Sequence, residues 1–228
     1  MRLIITLNDL QQHNPCPHGL ALFKQHYPNG IDMRWGRKTQ IKKLKTCPVF
    51  RKYLQWINTS GLIPIYPMRN ADLKGLNLQG VDLGGIDLKG ANLSGIDLSG
   101  TNLCNTDLRN ADLRGIILRK GFLRGANLQG ANLYGASLHR TDLIRVNLRQ
   151  TRLCAGYLDG AHLRKVNLRD ADLRGANLWG TTLHHVDLRG ADLRGADMRY
   201  TTLQHVDLRG ANLNDVKLTG TDLTNAKQ

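Results

Sequence analysis

The chain has 228 residues, and its 32 lysines and arginines against 18 acidic residues give a formal net charge of +14. All of the acids are Asp, although Glu is the acid that favours helices, so the composition disfavours a helical fold for most of the chain. No apolar stretch approaches the roughly 18 residues of a membrane span, and the apolar run at the N-terminus is too short for a signal peptide. We therefore expect a cytoplasmic protein.

The cysteines are widely spaced and form no CxxC pair, which is typical of free thiols in a reducing compartment. They are Cys16, Cys47, Cys104 and Cys154. His13 and His18 flank Cys16, but the spacing of these residues and Cys47 matches no usual structural zinc site. We predict neither a metal nor another cofactor.

Residues 1–67 are predicted to form a small, basic, helical domain. Pro17 and Pro48 each follow a cysteine and suit the first turn of a helix. The first helix would end before Pro28, and the second would end at Gly61. Because a solenoid of the kind derived below exposes a raw sheet edge at each end, we interpret this domain as a cap over the first coil.

The same domain also carries a run of eight basic residues without an acid, between Arg34 and Lys52. Such runs favour nucleic acid, anionic membranes or acidic proteins. A second candidate binding patch therefore consists of Arg37, Lys38, Lys42, Lys43 and Lys45. A helix-turn-helix is the alternative, although the second helix would begin Pro-Val-Phe and lack the polar residues that read bases. Residues 7–28 are similar to a short motif of uncharacterised phage and bacterial proteins.

From Ala71 onward the sequence repeats every five residues. Leu occupies 31 consecutive central positions from Leu73 to Leu223, with Met198 as the exception. The residue two before each Leu is nearly always small or β-branched, the residue between them is Asp in 13 repeats and Asn in 9, and Gly is most frequent two after the Leu. An unbroken register of this length predicts a repeat architecture.

A five-residue period fits neither a straight strand nor an α-helix, because the leucines would then point in several directions. They all point inward only if the chain turns a corner at each repeat, so that four repeats close a square coil. Successive coils would stack like parallel strands about 4.8 Å apart. The sequence therefore predicts a mainly β solenoid of nearly eight coils over residues 68–228, about 37 Å long.

The repeated motif A(D/N)LXX, as in Ala71-Asp72-Leu73, resembles that of the pentapeptide-repeat family over about two thirds of the chain. The resemblance implies a right-handed quadrilateral β-helix. Some members of that family resemble duplex DNA in shape and negative charge and bind type II topoisomerases. This chain has the opposite net charge, which argues against charge mimicry.

Several repeats depart from the pattern in the slot between the two inward positions. Ile117 and Phe122 occupy it in consecutive repeats, where they form either an exposed contact patch or a locally distorted, buried segment. Further departures in this slot include Arg152, Tyr157, His162, Thr182, Thr202 and Lys217.

On a 20-residue coil the residues that follow each Leu fall into columns, and one column is basic at six of seven positions. It consists of Lys89, Arg109, Gln129, Arg149, Arg169, Arg189 and Arg209. The adjacent corner column contains two cations and two histidines, and Arg164 and His184 lie beside it. We predict that a basic strip binds a partner, and we define it as Arg145, Arg149, Arg164, Lys165, Arg169, His185, Arg189, His205 and Arg209. The alternative is that Arg–Asp pairs merely solubilise a repetitive surface.

No arrangement of residue types indicates catalysis. There is no Ser-His-Asp or Cys-His order and no glycine-rich phosphate loop, and a filled solenoid is expected to lack a cleft. His184, His185 and His205 could hold a metal, but surface imidazoles in a basic strip are the better interpretation.

The sequence therefore favours a non-enzymatic scaffold that binds an acidic macromolecule, either protein or nucleic acid, and that blocks a nucleic-acid-handling complex in a phage or bacterium. The alternative is a DNA gyrase-binding protein that mimics duplex DNA by shape alone. Because no capping helix follows the last coil, we also expect a homodimer joined through the C-terminal coils.

Overall fold

The computed structural model describes residues 3–5, 31–33, 68–76 and 78–228. Near the N-terminus, strand β1 (Leu3–Ile5) pairs antiparallel with strand β2 (Ile31–Met33), which the sequence analysis does not predict. The predicted helices, the second candidate patch, Cys16 and Cys47 lie outside the described residues, so the capping domain stays a prediction.

From residue 68 the chain forms the predicted four-sided coil. Parallel β-bridges join residues that are 20 apart, from Asp72 with Asn92 to Thr202 with Asp222. We number the four sides by their first central residues, so that Leu73, Leu78, Leu83 and Leu88 begin the first to fourth sides. The first corner follows the first side, and so on.

Longer strand segments occur late in this solenoid. On the third side, β3 (His162–Arg164), β4 (Thr182–His184) and β5 (Thr202–Gln204) form a parallel sheet in the order β3-β4-β5. On the fourth side, β6 (Val206–Asp207) pairs parallel with β7 (Ala226–Lys227). The remaining rungs described between residues 72 and 222 are single bridges.

The central leucines and the residues two before them fill the interior. Leu163 lies in register with Leu183, and Leu143 lies one coil earlier; none of the three side chains is more than 1% exposed. Most inward threonines satisfy their hydroxyls on carbonyl oxygens of the preceding coil, as Thr141 Oγ1 does by donating to Leu118 O at 3.0 Å. A column of stacked apolar side chains therefore runs along the solenoid and supplies most of its stability.

The frequency of Asp and Asn in the outward slot has a local cause. The side-chain oxygen of this residue accepts the backbone N–H two residues later, as Asp82 Oδ1 does from Gly84 N at 2.9 Å. The amide of Asn102 also donates to Asp82 Oδ1 at 2.8 Å, which links successive coils. These contacts brace each corner, and they explain the acids of the repeat without any catalytic role.

The departures Ile117 and Phe122 keep the regular register, since Ile117 bridges Asp97 and Ser137 and Phe122 bridges Asn102. Phe122 is 52% exposed and Ile117 is half-buried. Of the two interpretations, the outward-facing one is correct and the distorted one is wrong.

The inward side chains of the last coil are less buried than those of the coils before it. The inward apolar side chains of the last coil are only partly buried: Ala211, Leu213, Val216, Leu218, Leu223 and Ala226. Equivalent positions in the preceding coils are buried. The last coil thus presents apolar surface.

Candidate binding surface

The third corner is built from residues that are unusual for a corner. The position two after each Leu has a positive φ, as predicted, and Gly most often occupies it. At the third corner, however, four consecutive coils have a side chain there: Arg145, Lys165, His185 and His205, with φ between 54° and 58°. Each non-glycine residue in this region costs roughly 1 kcal/mol. In the described coils, the other corners have no more than two such residues in succession.

The fourth side places the predicted arginine column in register, because the residues two before each arginine bridge from coil to coil. Three of its members are neutralised by the Asp two residues before them, and the first of these is Arg109, which pairs with Asp107. Arg189 Nε and Nη2 donate to the Asp187 carboxylate at 2.9 and 2.6 Å, and Arg209 makes the same fork with Asp207. The paired arginine holds the pKa of Asp187 below its ordinary value.

Arg149 and Arg169 have no such fork, because Asn147 and Asn167 occupy the positions where the others have Asp. Both guanidiniums share the single carboxylate of Asp170, at 3.6 and 3.5 Å, beyond hydrogen-bond distance. Arg149 Nε is buried and has no hydrogen-bond partner among the described residues. One acid therefore faces two cations at this level of the strip.

Beside them, Arg145, Arg164 and Lys165 take part in no ion pair within residues 68–76 and 78–228, and all three are exposed. The uncompensated charge of the predicted strip is thus concentrated in two coils. We call this group the cationic edge and define it as Arg145, Arg149, Arg164, Lys165 and Arg169. Stacked like charges about 5 Å apart repel unless an anion compensates them.

The histidines of the strip lie next to the cationic edge. The rings of His185 and His205 stack with centroids 4.6 Å apart, and the ring of His184 meets that of His185 at 4.4 Å. His184 Nδ1 is buried without a hydrogen-bond partner in the described region. No group of three or more His, Cys or acidic side chains is placed to hold a metal within residues 68–76 and 78–228.

A shallow, open depression lies on the third side of the solenoid. Its volume is about 480 Å³. It is lined by Ile144, His162, Leu163, Arg164, Thr182 and His184. The cavity lies where His162, Thr182 and Thr202 occupy the outward slot and the backbone extends into β3, β4 and β5. We call it the third-side groove.

A model of the pentapeptide repeats, in eight copies, matches residues 68–90, 82–119, 122–155, 157–190 and 191–227. The chain belongs to the pentapeptide-repeat family. Its fold is accordingly the right-handed quadrilateral β-helix that the motif predicts. No curated protein sequence is significantly similar to the chain.

Solved pentapeptide-repeat structures resemble parts of the chain. HetL, involved in heterocyst differentiation regulation in the cyanobacterium Nostoc sp. strain PCC 7120, is 32% identical over 72% of this chain and 87% of its own, with a TM-score of 0.44. A thylakoid lumen protein of Arabidopsis thaliana is 35% identical over 44% of this chain and 67% of its own, with a TM-score of 0.31. QnrB1, a plasmid-mediated fluoroquinolone resistance protein, is 19% identical over 63% of this chain and 82% of its own, with a TM-score of 0.43.

The pentapeptide-repeat pattern accounts for the core and the corners but does not require the exposed aromatic side chains. Tyr157, Trp179 and Tyr200 are exposed, and the rings of Trp179 and Tyr200 meet edge-on at 6.1 Å. Tyr157 was predicted to depart from the repeat, whereas Trp179 and Tyr200 were not singled out from the sequence. Both could have been found from the sequence, because Trp179 follows a central Leu and Tyr200 occupies a corner position, and both positions face outward.

Two further sequence predictions are tested by the described coils. Cys104 and Cys154 are free thiols, and burial together with the nearby Asp172 raises the pKa of Cys154. A raised pKa makes a thiol a poorer nucleophile at neutral pH. Among the described residues there is no helix with the length and apolar character needed to cross a membrane.

Proposed function

We propose that this pentapeptide-repeat protein is a non-enzymatic interaction protein that binds an acidic macromolecule through the basic strip, with the cationic edge as the centre of the contact. The observation that carries the proposal is the third corner. Four consecutive coils keep a cation or a histidine in a conformation that favours glycine. Backbone strain that persists in successive repeats points to a role for the side chains beyond folding.

Charge supports the same surface. Arginine suits both carboxylates and phosphates, because its planar fork donates two hydrogen bonds. On the fourth side, Arg149 and Arg169 keep their charge while Arg189 is tied to Asp187. A rigid wall also preorganises these groups, which lowers the entropic cost of binding. In a phage or a bacterium, a basic rod of this kind could occupy the acidic surface of a nucleic-acid-handling complex and block it.

The test removes three charges at a time, none of which belongs to an Arg–Asp fork. The strip triple is Arg149→Gln, Arg164→Gln and Arg169→Gln. The control triple is Lys74→Gln, Arg119→Gln and Arg152→Gln, which removes the same charge from the first and second sides. Fluorescence anisotropy with a poly-glutamate peptide and with a DNA duplex, at low and high salt, measures binding. We expect the strip triple to abolish binding and the control triple to weaken it slightly.

Two outcomes would contradict the proposal. If both triples weaken binding equally, only the net charge matters and the strip has no special role. If neither has an effect, the contact lies elsewhere, for example in the second candidate patch. A gyrase supercoiling assay addresses the alternative of duplex-DNA shape mimicry, because inhibition that survives the strip triple would favour shape over charge.

A further inference from the structure

The third-side groove adds an apolar element to the cationic edge. Arg124, Ile144 and Arg164 occupy one outward column, because the residues two before them bridge in series from Phe122 through Asp142 to His162. Ile144 therefore lies one rung, about 4.8 Å, from a cation on each side. Most of the exposed surface of the groove consists of apolar atoms, although Ile144 is the one apolar side chain among its lining residues that is not buried.

The surroundings of the groove are cationic with one exception. Arg164 lines it, and Arg145 and Lys165 lie at the adjacent corner without ion pairs in the described part of the chain. The exception is Asp142, whose Oδ1 accepts the N–H of Ile144 at 3.0 Å. Phe122, which is half exposed, lies in the neighbouring column one rung from the coil of Ile144, where it bridges Asp142.

This combination distinguishes between the two kinds of acidic partner. A phosphate placed over Ile144 would lose water without gaining a hydrogen bond, so a nucleic acid backbone fits the groove poorly. An aliphatic side chain buried there would gain from the apolar wall, and its flanking carboxylates would reach Arg124 and Arg164. Protein interfaces commonly use one apolar anchor in a pocket surrounded by polar contacts.

We infer that the partner is an acidic protein, which inserts one aliphatic side chain, flanked by Asp or Glu, into the third-side groove. This inference rests on the proposed function and names the class of partner. The groove then supplies specificity, whereas the cationic edge supplies long-range attraction.

The experiment compares three labelled probes on the full-length chain. Two peptides of equal charge consist of Glu and Ser, and one of them has Leu in place of a central Ser. The third probe is a DNA duplex. We expect the Leu peptide to bind about tenfold more tightly than the Leu-free peptide. Ile144→Ser should remove this difference, and the control Tyr134→Ser, an exposed side chain on the first side, should keep it. Thermal unfolding verifies that both variants are folded.

Each other outcome overturns a defined part of the argument. Equal binding of both peptides, still sensitive to the strip triple, would overturn the inference and leave the proposed function standing. Tighter binding of the duplex, unaffected by Ile144→Ser, would overturn the inference in favour of nucleic acid. Failure of all three probes to bind would overturn both.

Discussion

The imidazole ring of His185 stacks on that of His205, with the ring planes 11° apart. Desolvation and the charges of His184, His205 and the adjacent Lys165 lower the pKa of His185 below its ordinary value of 6.5. The folded state therefore binds the proton of His185 less tightly than the unfolded chain does. Protonation of this stack opposes folding.

Stability should fall as the pH drops from about 7 to about 5. The contribution of His185 is fully present above its unfolded pKa of 6.5 and is lost as the pH falls through that value toward the lowered folded pKa. His205→Gln should reduce the fall, because it removes one of the neighbouring charges. Urea unfolding at both pH values measures this. Protonation of the paired acids affects stability only at a lower pH than this, because the pKa of Asp187 is depressed below 3.8. His162→Gln is the control, and an unfolding midpoint independent of pH would contradict the prediction.

Leu163→Ala should lower the free energy of unfolding by about 2–5 kcal/mol, and Leu163→Lys should unfold the solenoid. Leu163 is buried in register with Leu183, so truncation leaves a cavity that the stacked coils cannot close. Thermal unfolding followed by circular dichroism measures both changes. The control is Arg164→Ala on the same strand, which should change stability by no more than about 0.5 kcal/mol. A Leu163→Lys protein with an unchanged melting temperature would refute the register.

The leucine period was enough to predict the four-sided coil, because only a corner at each repeat lets all leucines point inward. The Arg–Asp forks could also be predicted from the sequence, because residues two apart, such as Asp187 and Arg189, lie on the same side of the pleat. The third-side groove could not be predicted from the sequence, because it depends on the sizes of side chains from different coils. The pairing of β1 with β2 was missed because neither short segment alternates long enough to indicate a strand.

Arg145→Gly and Lys165→Gly together should weaken binding of the acidic peptide while leaving stability unchanged or raising it by up to about 1 kcal/mol per site. Each residue has φ near 57°, where glycine avoids a steric cost of roughly 1–2 kcal/mol but brings an entropic cost of about 0.5–1 kcal/mol. The control is Lys120→Gly with Arg140→Gly at the second corner, where φ is also positive. This control variant should show the same change in stability as the first variant, and it should bind the peptide almost as tightly as the wild-type protein does. A destabilised Arg145→Gly protein would show that the side chain serves the fold.

The partly buried last coil leads to a prediction about assembly. We expect a two-fold dimer joined end to end, in which the apolar surface around Leu213, Leu218 and Leu223 is covered by a second copy. Leu218→Asp should yield a monomer, and Thr219→Asp, an exposed neighbour, should not. Light scattering at several concentrations measures the mass. A wild-type protein that stays monomeric at high concentration would contradict the prediction of a dimer.

The identity of one residue decides whether an arginine of the fourth side is neutralised. Asp187 and Asp207 each hold an arginine in a bidentate fork, whereas Asn147 and Asn167 leave Arg149 and Arg169 without one. In all six Asp-Leu-Arg segments of the described coils, and in the single Asp-Met-Arg segment, the arginine donates to the carboxylate two residues before it, as Arg199 does to Asp197 at 2.7 Å.

Asn147→Asp with Asn167→Asp should therefore neutralise the cationic edge without changing any of its cations. The new carboxylates keep the oxygen that accepts the backbone N–H of Arg149 and Arg169, so the corners stay braced. The variant loses the hydrogen bond that the Asn147 amide donates to Asn127 Oδ1 at 3.1 Å, so stability should fall by about 1 kcal/mol. Each carboxylate should form a fork with its arginine, and peptide affinity should fall about tenfold or more. The control, Asn132→Asp with Asn177→Asp, adds the same charge on the first and second sides, where Tyr134 and Trp179 follow instead of arginine. Equal losses of affinity in the two double variants would mean that net charge alone drives binding. Unchanged affinity in the first would mean that Arg149 and Arg169 do not contact the partner.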